Sequence, residues 1–132
     1  MDFSLEIINP RGIYLTKIVS SLTIKLTSGY RTILAGHMDL IGALDYAPMH
    51  IISEGKTEYF AIHGGAINIT KTKVTIICNA IESASEIDLS RAEASKGRAQ
   101  KRLQEKDPNF DEKRIRLSLA RALARIKTAQ YK

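Results

Sequence analysis

The sequence is poor in several residues by which a fold or a function is often recognised. Among 132 residues it has one cysteine, no tryptophan, three prolines and 6% aromatic residues. A single cysteine excludes an internal disulfide and indicates a reducing compartment. Cys78 ends the apolar run 74–78, which predicts a buried structural thiol and not a reactive one. No apolar run approaches the roughly 18 residues of a membrane span, and the first residues do not resemble a signal peptide.

The usual signatures of catalysis and of metal binding are also missing. The three histidines, His37, His50 and His63, are not spaced like the ligands of a zinc site. The sequence shows no glycine-rich loop that would cradle a phosphate and no pairing of a nucleophile with a base. We therefore expect a chain without an active site and without a metal.

Positive charge is present, and it is concentrated toward the C-terminus. The formal net charge is +6, with 44% hydrophobic and 26% charged residues, as in an ordinary globular protein. Up to Ser90 the acidic residues slightly outnumber the basic ones, whereas from Arg91 onward lysine and arginine exceed the acids by more than two to one. A basic tail on a near-neutral body predicts a polyanionic partner: an acidic protein surface, a nucleotide or a nucleic acid.

Residues 1–84 have the pattern of short β-strands separated by turns. The segment 19–27 places three apolar residues at period two, which is typical of a half-buried strand. A hairpin turn is predicted at 53–56, and Gly64 with Gly65 is predicted to end the strand that follows it. Strands at about ten-residue spacing favour an antiparallel sandwich or a flattened barrel.

The pattern changes to helical beyond residue 84. Strong helix formers fill 88–105, and Asp88 is the predicted N-cap. A proline-containing break then precedes a second helix that ends near residue 127, with Asn109 and Glu112 as its capping box.

These patterns predict an α+β protein in two parts. An N-terminal antiparallel β-sandwich occupies 1–84, and a C-terminal antiparallel two-helix hairpin occupies 85–132. Alanine lines much of the seam between the predicted helices, so the seam buries little apolar area. At roughly 0.8 kcal/mol per buried methylene, such a seam holds two helices together only marginally.

Each predicted helix carries a row of arginines, and the two rows have the same spacing. Three arginines and a serine recur at i, i+4, i+7 and i+11: Arg91, Ser95, Arg98 and Arg102, then Arg114, Ser118, Arg121 and Arg125. Solvated outer faces are one interpretation of these rows. Arginine, however, suits bidentate contact with phosphate or carboxylate. If the rows share a groove, each like-charge pair costs on the order of 1 kcal/mol, and a multivalent anion such as a triphosphate would favour the closed hairpin.

The order of these elements resembles a known family. The Ile-Asp-Leu-Ser-Arg-Ala stretch at 87–92, the paired arginine rows, the Gly36-His37 turn and the strand leading into Gly64-Gly65 are similar to the epsilon subunit of bacterial F-type ATP synthase. The resemblance extends over essentially the whole chain. The sequence differs from the family at His63, where serine is common.

The resemblance implies a fold, a set of partners and a regulatory site. The implied fold is a ten-stranded sandwich on the cytoplasmic side of the membrane, in contact with the gamma subunit and the ring of c subunits. The implied hairpin folds down when ATP is bound, or extends toward the alpha/beta head and blocks ATP hydrolysis. The implied ATP site needs no metal and has Glu82, Ile87, Asp88 and Ala92 around the adenine, with Arg91, Arg98, Arg121 and Arg125 on the phosphates.

Two other functions remain open from the residues alone. A nucleic-acid-binding module would neutralise phosphates with the basic hairpin, but residues 1–84 lack the basic, aromatic-rich face typical of such modules, so we expect no nucleic-acid partner. A protein-interaction module would offer the same arginines to carboxylates, for example on catalytic beta subunits.

Overall fold

A computed structural model of the chain describes residues 1–105 and 111–132. Within these ranges there are eight strands, a short 3₁₀ turn and two α-helices. Their bounds are β1 Phe3–Asn9, β2 Gly12–Val19, β3 Ser21–Leu26, β4 Gly29–Leu34, β5 Leu40–Ser53, β6 Lys56–Ile69, β7 Lys73–Cys78, β8 Ile81–Ser83, the 3₁₀ turn Ala84–Glu86, α1 Leu89–Glu105 and α2 Glu112–Ala129.

The strands form one sheet that folds over a single apolar core. Their order is β2-β1-β7-β6-β5-β3-β4, and β8 pairs with β6 beside this path. Every pair is antiparallel except β1 with β7, which is parallel. The predicted antiparallel sandwich followed by a two-helix hairpin is confirmed, with β1 and β7 as one parallel pair within it. Because β1 and β7 are far apart in sequence, the long connection between them permits the parallel sense.

Two long strands, β5 and β6, run through both layers of the sandwich. In β6 the residues that face the sandwich core are even-numbered before the glycine pair (Phe60 and Ile62) and odd-numbered after it (Ile67 and Ile69). The φ values of Gly64 and Gly65 are 72° and 130°. The prediction that these glycines end the strand is therefore wrong, because positive φ bends the strand while its pairing with β5 continues. Counting each bent strand as two halves turns the eight observed strands into the ten that the resemblance implied.

The core is made by the inward positions of the strands. Leu22 and Ile24 are fully buried and Leu26 nearly so, which confirms the period-two pattern of β3. Cys78 is also buried, as predicted, and its thiol lies 3.5 Å from the carbonyl oxygen of Ile8. Burial raises the pKa of this thiol, so the group stays protonated and unreactive at neutral pH.

Both helices begin at an aspartate whose side chain caps the first turn. Asp88 Oδ1 accepts a hydrogen bond from the backbone N–H of Arg91 at 3.1 Å, which confirms the predicted cap of α1. Asp111 Oδ1 accepts from the N–H of Arg114 at 3.1 Å. The predicted capping box at Asn109 falls on a residue outside the described ranges, and the cap of α2 is Asp111.

The hairpin is folded down on the sandwich, with α2 as the middle layer. Helix α2 packs on β5, β6 and the 3₁₀ turn, and α1 packs on α2. The seam between the helices is poor in large apolar side chains, as predicted. On α1 it buries only Ala92 and Ala99, whereas Leu89 is 41% exposed.

Gly65 offers a direct test of the bend in β6. A Cβ atom at this position would lie 2.2 Å from the carbonyl oxygen of Ile77 and 2.7 Å from Cα of Cys78. We expect Gly65→Ala to lower the free energy of unfolding by at least about 1–3 kcal/mol, because the backbone conformation and the contact are both unfavourable. Urea denaturation followed by circular dichroism measures this change.

Gly97 is the matched control for that substitution. It lies within α1, and a Cβ atom there would meet nothing within 4 Å. Gly97→Ala should raise helix stability by about 0.5–1 kcal/mol. Equal stability of Gly65→Ala and the unsubstituted chain would show that β6 is not constrained at the bend.

Candidate functional site

One face of β6 is the surface on which α2 packs. Tyr59, Ala61 and His63 alternate along the strand and face the helix, whereas Phe60 and Ile62 face the sandwich core. This is the period-two alternation of a strand that packs on both faces. Each of the three helix-facing residues meets a different part of the segment 124–131.

The C-terminal end of the hairpin is held by an aromatic stack. The ring of Tyr131, just beyond α2, lies parallel to that of Tyr59, with centroids 3.9 Å apart and an interplanar angle of 5°. The ring of His50 on β5 adjoins Tyr59 at 5.0 Å. Next along β6, Ala61 packs with Ile87 and Ala129 in a small buried cluster. These contacts fix the last turn of α2 on the sandwich without any ligand.

Glu82 connects the sandwich to α2 by charge. Its Oε1 accepts a hydrogen bond from Arg125 Nε at 2.6 Å and another from His63 Nε2 at 3.1 Å. Because a carboxylate only accepts, His63 is in the tautomer that carries its proton on Nε2. Nδ1 of the same ring has no hydrogen-bond partner among the described atoms, and the His63 residue is fully buried.

The two titratable partners in this arrangement have shifted pKa values. For Glu82, burial raises the pKa, but the hydrogen bonds from Arg125 and His63 outweigh it, and the net pKa lies below the ordinary value of 4.5. For His63, burial lowers the pKa, the bond to Glu82 opposes this, and the charge of Arg125 adds to the lowering. Near neutral pH the arrangement is therefore an ionised carboxylate between a guanidinium and a neutral imidazole.

A cavity of about 360 Å³ opens beside Glu82, and we call it the proximal cavity. It lies between the start of α1 and the last turns of α2. Its volume is at the lower end of the range of small-molecule sites. It is lined by three carboxylates, three guanidinium groups and two small side chains: Glu82, Glu86, Asp88, Arg91, Arg98, Arg125, Ala92 and Ser95.

A second cavity of about 230 Å³ continues the first along the two helices, and we call it the distal cleft. Ser95 and Arg98 line both cavities, and Arg98 Nη2 donates a hydrogen bond to Ser95 Oγ at 3.0 Å. The remaining lining residues of the distal cleft are Ala99, Arg102, Arg114, Ile115 and Ser118. Among the described residues, three arginines and no carboxylate line the distal cleft, whereas the charges that line the proximal cavity balance.

The structure brings together most of the residues that the sequence singled out. Six of the eight predicted site residues line the proximal cavity: Glu82, Asp88, Arg91, Ala92, Arg98 and Arg125. Ile87 does not line it, because its side chain is buried against Ala61 and Ala129. Arg121 is exposed and lines neither cavity, although its charge contributes to the low pKa of His63.

Several residues at this site were absent from the predicted set of site residues, among them Arg102, Arg114 and His63. Arg102 and Arg114 belong to the arginine rows and line the distal cleft. The sequence did contain a signal for these two residues, because both occur at the regular spacing of the arginine rows. The sequence singled out His63 as a candidate metal ligand and as a departure from the serine common in the family, and nothing in the sequence paired it with Glu82. Among the described residues no group of three or more His, Cys, Asp or Glu side chains is placed to hold a metal ion.

Comparison with known proteins agrees with this architecture along the whole chain. Residues 2–84 match the family model of the ATP synthase delta/epsilon chain β-sandwich domain, and residues 85–130 match that of the delta/epsilon chain long α-helix domain. The chain belongs to the ATP synthase delta/epsilon family. This confirms the family to which the sequence motifs pointed.

Two relatives in the delta/epsilon family illustrate the degree of similarity. The chain is 40% identical over 131 residues to the ATP synthase epsilon chain of Natranaerobius thermophilus, covering 98% of this chain and 93% of that one. It is 35% identical over 130 residues to the epsilon chain of Bacillus cytotoxicus, covering 98% of both.

A solved structure supports the fold. The chain superposes on a subunit in the cryo-EM structure of the Euglena gracilis mitochondrial ATP synthase OSCP/F1/c-ring assembly with a TM-score of 0.85. The sequence identity is 21%, and the match covers 93% of this chain and 78% of the other. No helix in the described ranges has the length and the apolar character needed to cross a bilayer.

The bridging role of Glu82 leads to a prediction about the closed hairpin. Glu82→Gln removes the charge that Arg125 and His63 share, so we expect docking of α2 to weaken by about 1–3 kcal/mol. Amide hydrogen exchange in α2 measures this as faster exchange, while the sandwich core stays protected. Glu112→Gln is the control, because it breaks an exposed ion pair with Arg116, worth about 0.3–0.5 kcal/mol. Similar exchange in the two variants would contradict the bridging role.

Proposed function

We propose that this chain is a non-catalytic central-stalk subunit of a rotary F-type ATP synthase, and that it regulates ATP hydrolysis through an ATP-sensing hairpin. The observation that carries the proposal is the pair of connected cavities, which arginines from both helices line only while the hairpin is closed. Membership of the delta/epsilon family supports the assignment to this complex. The subunit would be peripheral, on the cytoplasmic side of the membrane.

The charge distribution indicates how ATP would lie in the site. The carboxylates of Glu82, Glu86 and Asp88 repel phosphate but can accept hydrogen bonds from the exocyclic amino group of adenine. The small side chain of Ala92 leaves room for the base at the same end. The triphosphate would then extend past Arg98 into the distal cleft, where no carboxylate of residues 1–105 or 111–132 lines the wall beside Arg102 and Arg114.

ATP would act by changing the population of closed hairpins. A ligand that contacts arginines on both helices binds only when the helices are side by side, so it favours the closed form by its whole binding free energy. Without the anion, charge repulsion between the two rows opposes an alanine-lined seam. The open hairpin would present the same arginines to acidic surfaces of the alpha/beta head and so hinder rotation.

The outer face of the sheet is the surface that we propose for the gamma subunit. Ile13 on β2, Ile8 on β1 and Ile77 on β7 stand opposite one another in register, and Ala66 and Ala43 continue the row on β6 and β5. Ile13 is 67% exposed and Ile77 is 57% exposed. A contiguous apolar row on the outside of a sheet is typical of an interaction surface, and a stalk subunit must bind its stalk.

A separate apolar patch suits the membrane sector. Leu34 at the end of β4, Met38 in the following turn and Ile41 at the start of β5 are all more than half exposed. We propose that this patch contacts the ring of c subunits, because exposed apolar side chains are typical of an interaction surface. The patch lies around the β4–β5 connection, at the opposite end of β5 from the turn at 54–55.

The ATP site can be tested with the isolated chain. We expect ATP to bind with micromolar to millimolar affinity, and Arg98→Ala to weaken it by about 10- to 100-fold, because Arg98 lines both cavities and loses a charged hydrogen bond. Isothermal titration calorimetry measures both values. Arg116→Ala is the matched control, since Arg116 pairs with Glu112 and lines neither cavity. An absence of saturable heat up to several millimolar ATP would exclude nucleotide sensing.

The gamma surface can be tested by co-assembly. We expect the double variant Ile13→Asp with Ile77→Asp to bind the gamma subunit at least about tenfold more weakly, because each substitution places a charge in an apolar contact. Pull-down with purified gamma subunit, followed by biolayer interferometry, gives the ratio. Tyr30→Asp is the control, since Tyr30 is 56% exposed on β4 at the far edge of the sheet. Unchanged binding of the double variant would move the interface elsewhere.

A further inference from the structure

His63 is a buried titratable group at the interface between the sandwich and α2. Its side chain is 1% exposed. Charged and titratable groups surround it from three elements: Glu82 on β8 at 3.1 Å, Arg125 and Arg121 on α2, and the Tyr46 ring on β5 with centroids 5.9 Å apart. The β7–β8 turn adds the carbonyl of Ala80, which accepts from the His63 backbone N–H at 3.0 Å.

We propose that His63 is a proton sensor that couples pH to the position of the hairpin, with acidification favouring the open form. The proposal goes beyond nucleotide sensing. It requires only that α2 leaves the sandwich, and not that the cavities bind ATP.

In the closed form, addition of a second proton to the His63 imidazole is unfavourable. Nε2 already donates to Glu82, so the added proton would sit on Nδ1, which has no hydrogen-bond partner in the described part of the chain. A buried N–H without an acceptor is unfavourable, and so is a buried positive charge that faces two guanidinium groups. The carboxylate of Glu82 offsets only part of this, because it is already engaged by Arg125.

Opening the hairpin removes these obstacles together. When α2 lifts from β6, Arg121 and Arg125 leave, Glu82 is free to pair with His63 alone, and water reaches Nδ1. The pKa of His63 is below its ordinary value of 6.5 in the closed form and returns toward or above it in the open form. The open form therefore binds more protons, so closure is most stable above about pH 6.5 and weakens as the pH falls through that value. Linkage to one proton limits the change to tenfold per pH unit.

The hairpin equilibrium can be followed on the full chain without nucleotide. A Tyr131→Ala background removes the aromatic stack, which brings the open and closed populations into a measurable range. We expect the open-to-closed ratio, obtained from small-angle X-ray scattering, to rise by up to tenfold between pH 7.5 and pH 5.5. In the same background His63→Gln, which keeps an N–H donor but does not titrate, should hold the ratio constant over this range.

His50→Gln is the matched control, because the His50 ring lies near the same helix end but adjoins Tyr59, whereas Glu82 is bonded by His63 and Arg125. It should keep the full pH response. If His63→Gln does not fold, His63→Ser replaces it, and carbon-detected NMR of the wild-type imidazoles provides an independent measurement. A pH-independent ratio in the Tyr131→Ala chain, a response that survives His63→Gln, or a closed chain whose His63 titrates at 6.5 would each overturn the proposal.

Discussion

The carboxylate of Glu82 decides how the helical hairpin sits on the sandwich. It is partly buried and accepts from a side chain on each side, His63 below it on β6 and Arg125 above it on α2. A half-buried charge must keep such partners, so α2 has one favourable register and one favourable rotation on the sheet. In this register Ala61 packs against Ala129, and Tyr59 on the same strand stacks on Tyr131. The rotation of α2 in turn determines which arginines face the cavities.

This dependence explains which parts of the site could be predicted from the sequence. The shared groove was predictable because the spacing of the arginine rows is a local property of a helix. The distinction between Arg114, which lines the distal cleft, and Arg121, which does not, was not predictable. It depends on the rotation of α2, which a contact from β8 sets. The burial of Ile87 away from the proximal cavity was not predictable for a similar reason, since the turn before α1 directs this residue into the buried cluster with Ala129.

The fold shows the same division between local and distant causes. The alternation in β3 and the cap at Asp88 could be predicted from the sequence because each involves residues within one segment. The continuation of β6 through its glycine pair could not be predicted, since a pair of glycines is typical of a turn. The strand continues because its pairing with β5 has the same register on both sides of the bend, and because β7 lies close to it at Gly65. That information lies in tertiary structure and has no local signature.

The hairpin closes through two interfaces of different strength, and the two proposed signals, nucleotide and acid, would act on different interfaces. Helix α2 is held on the sandwich by an aromatic stack, a buried cluster and the Glu82 bridge, none of which needs a ligand. Helix α1 is held mainly by Ala92 and Ala99 against α2, beneath two rows of like charge. An anion bound between the rows would therefore act first on α1, whereas protonation of His63 would act on α2. If both proposals hold, nucleotide would move α1 alone and acid would release both helices, because each signal would act on a different interface.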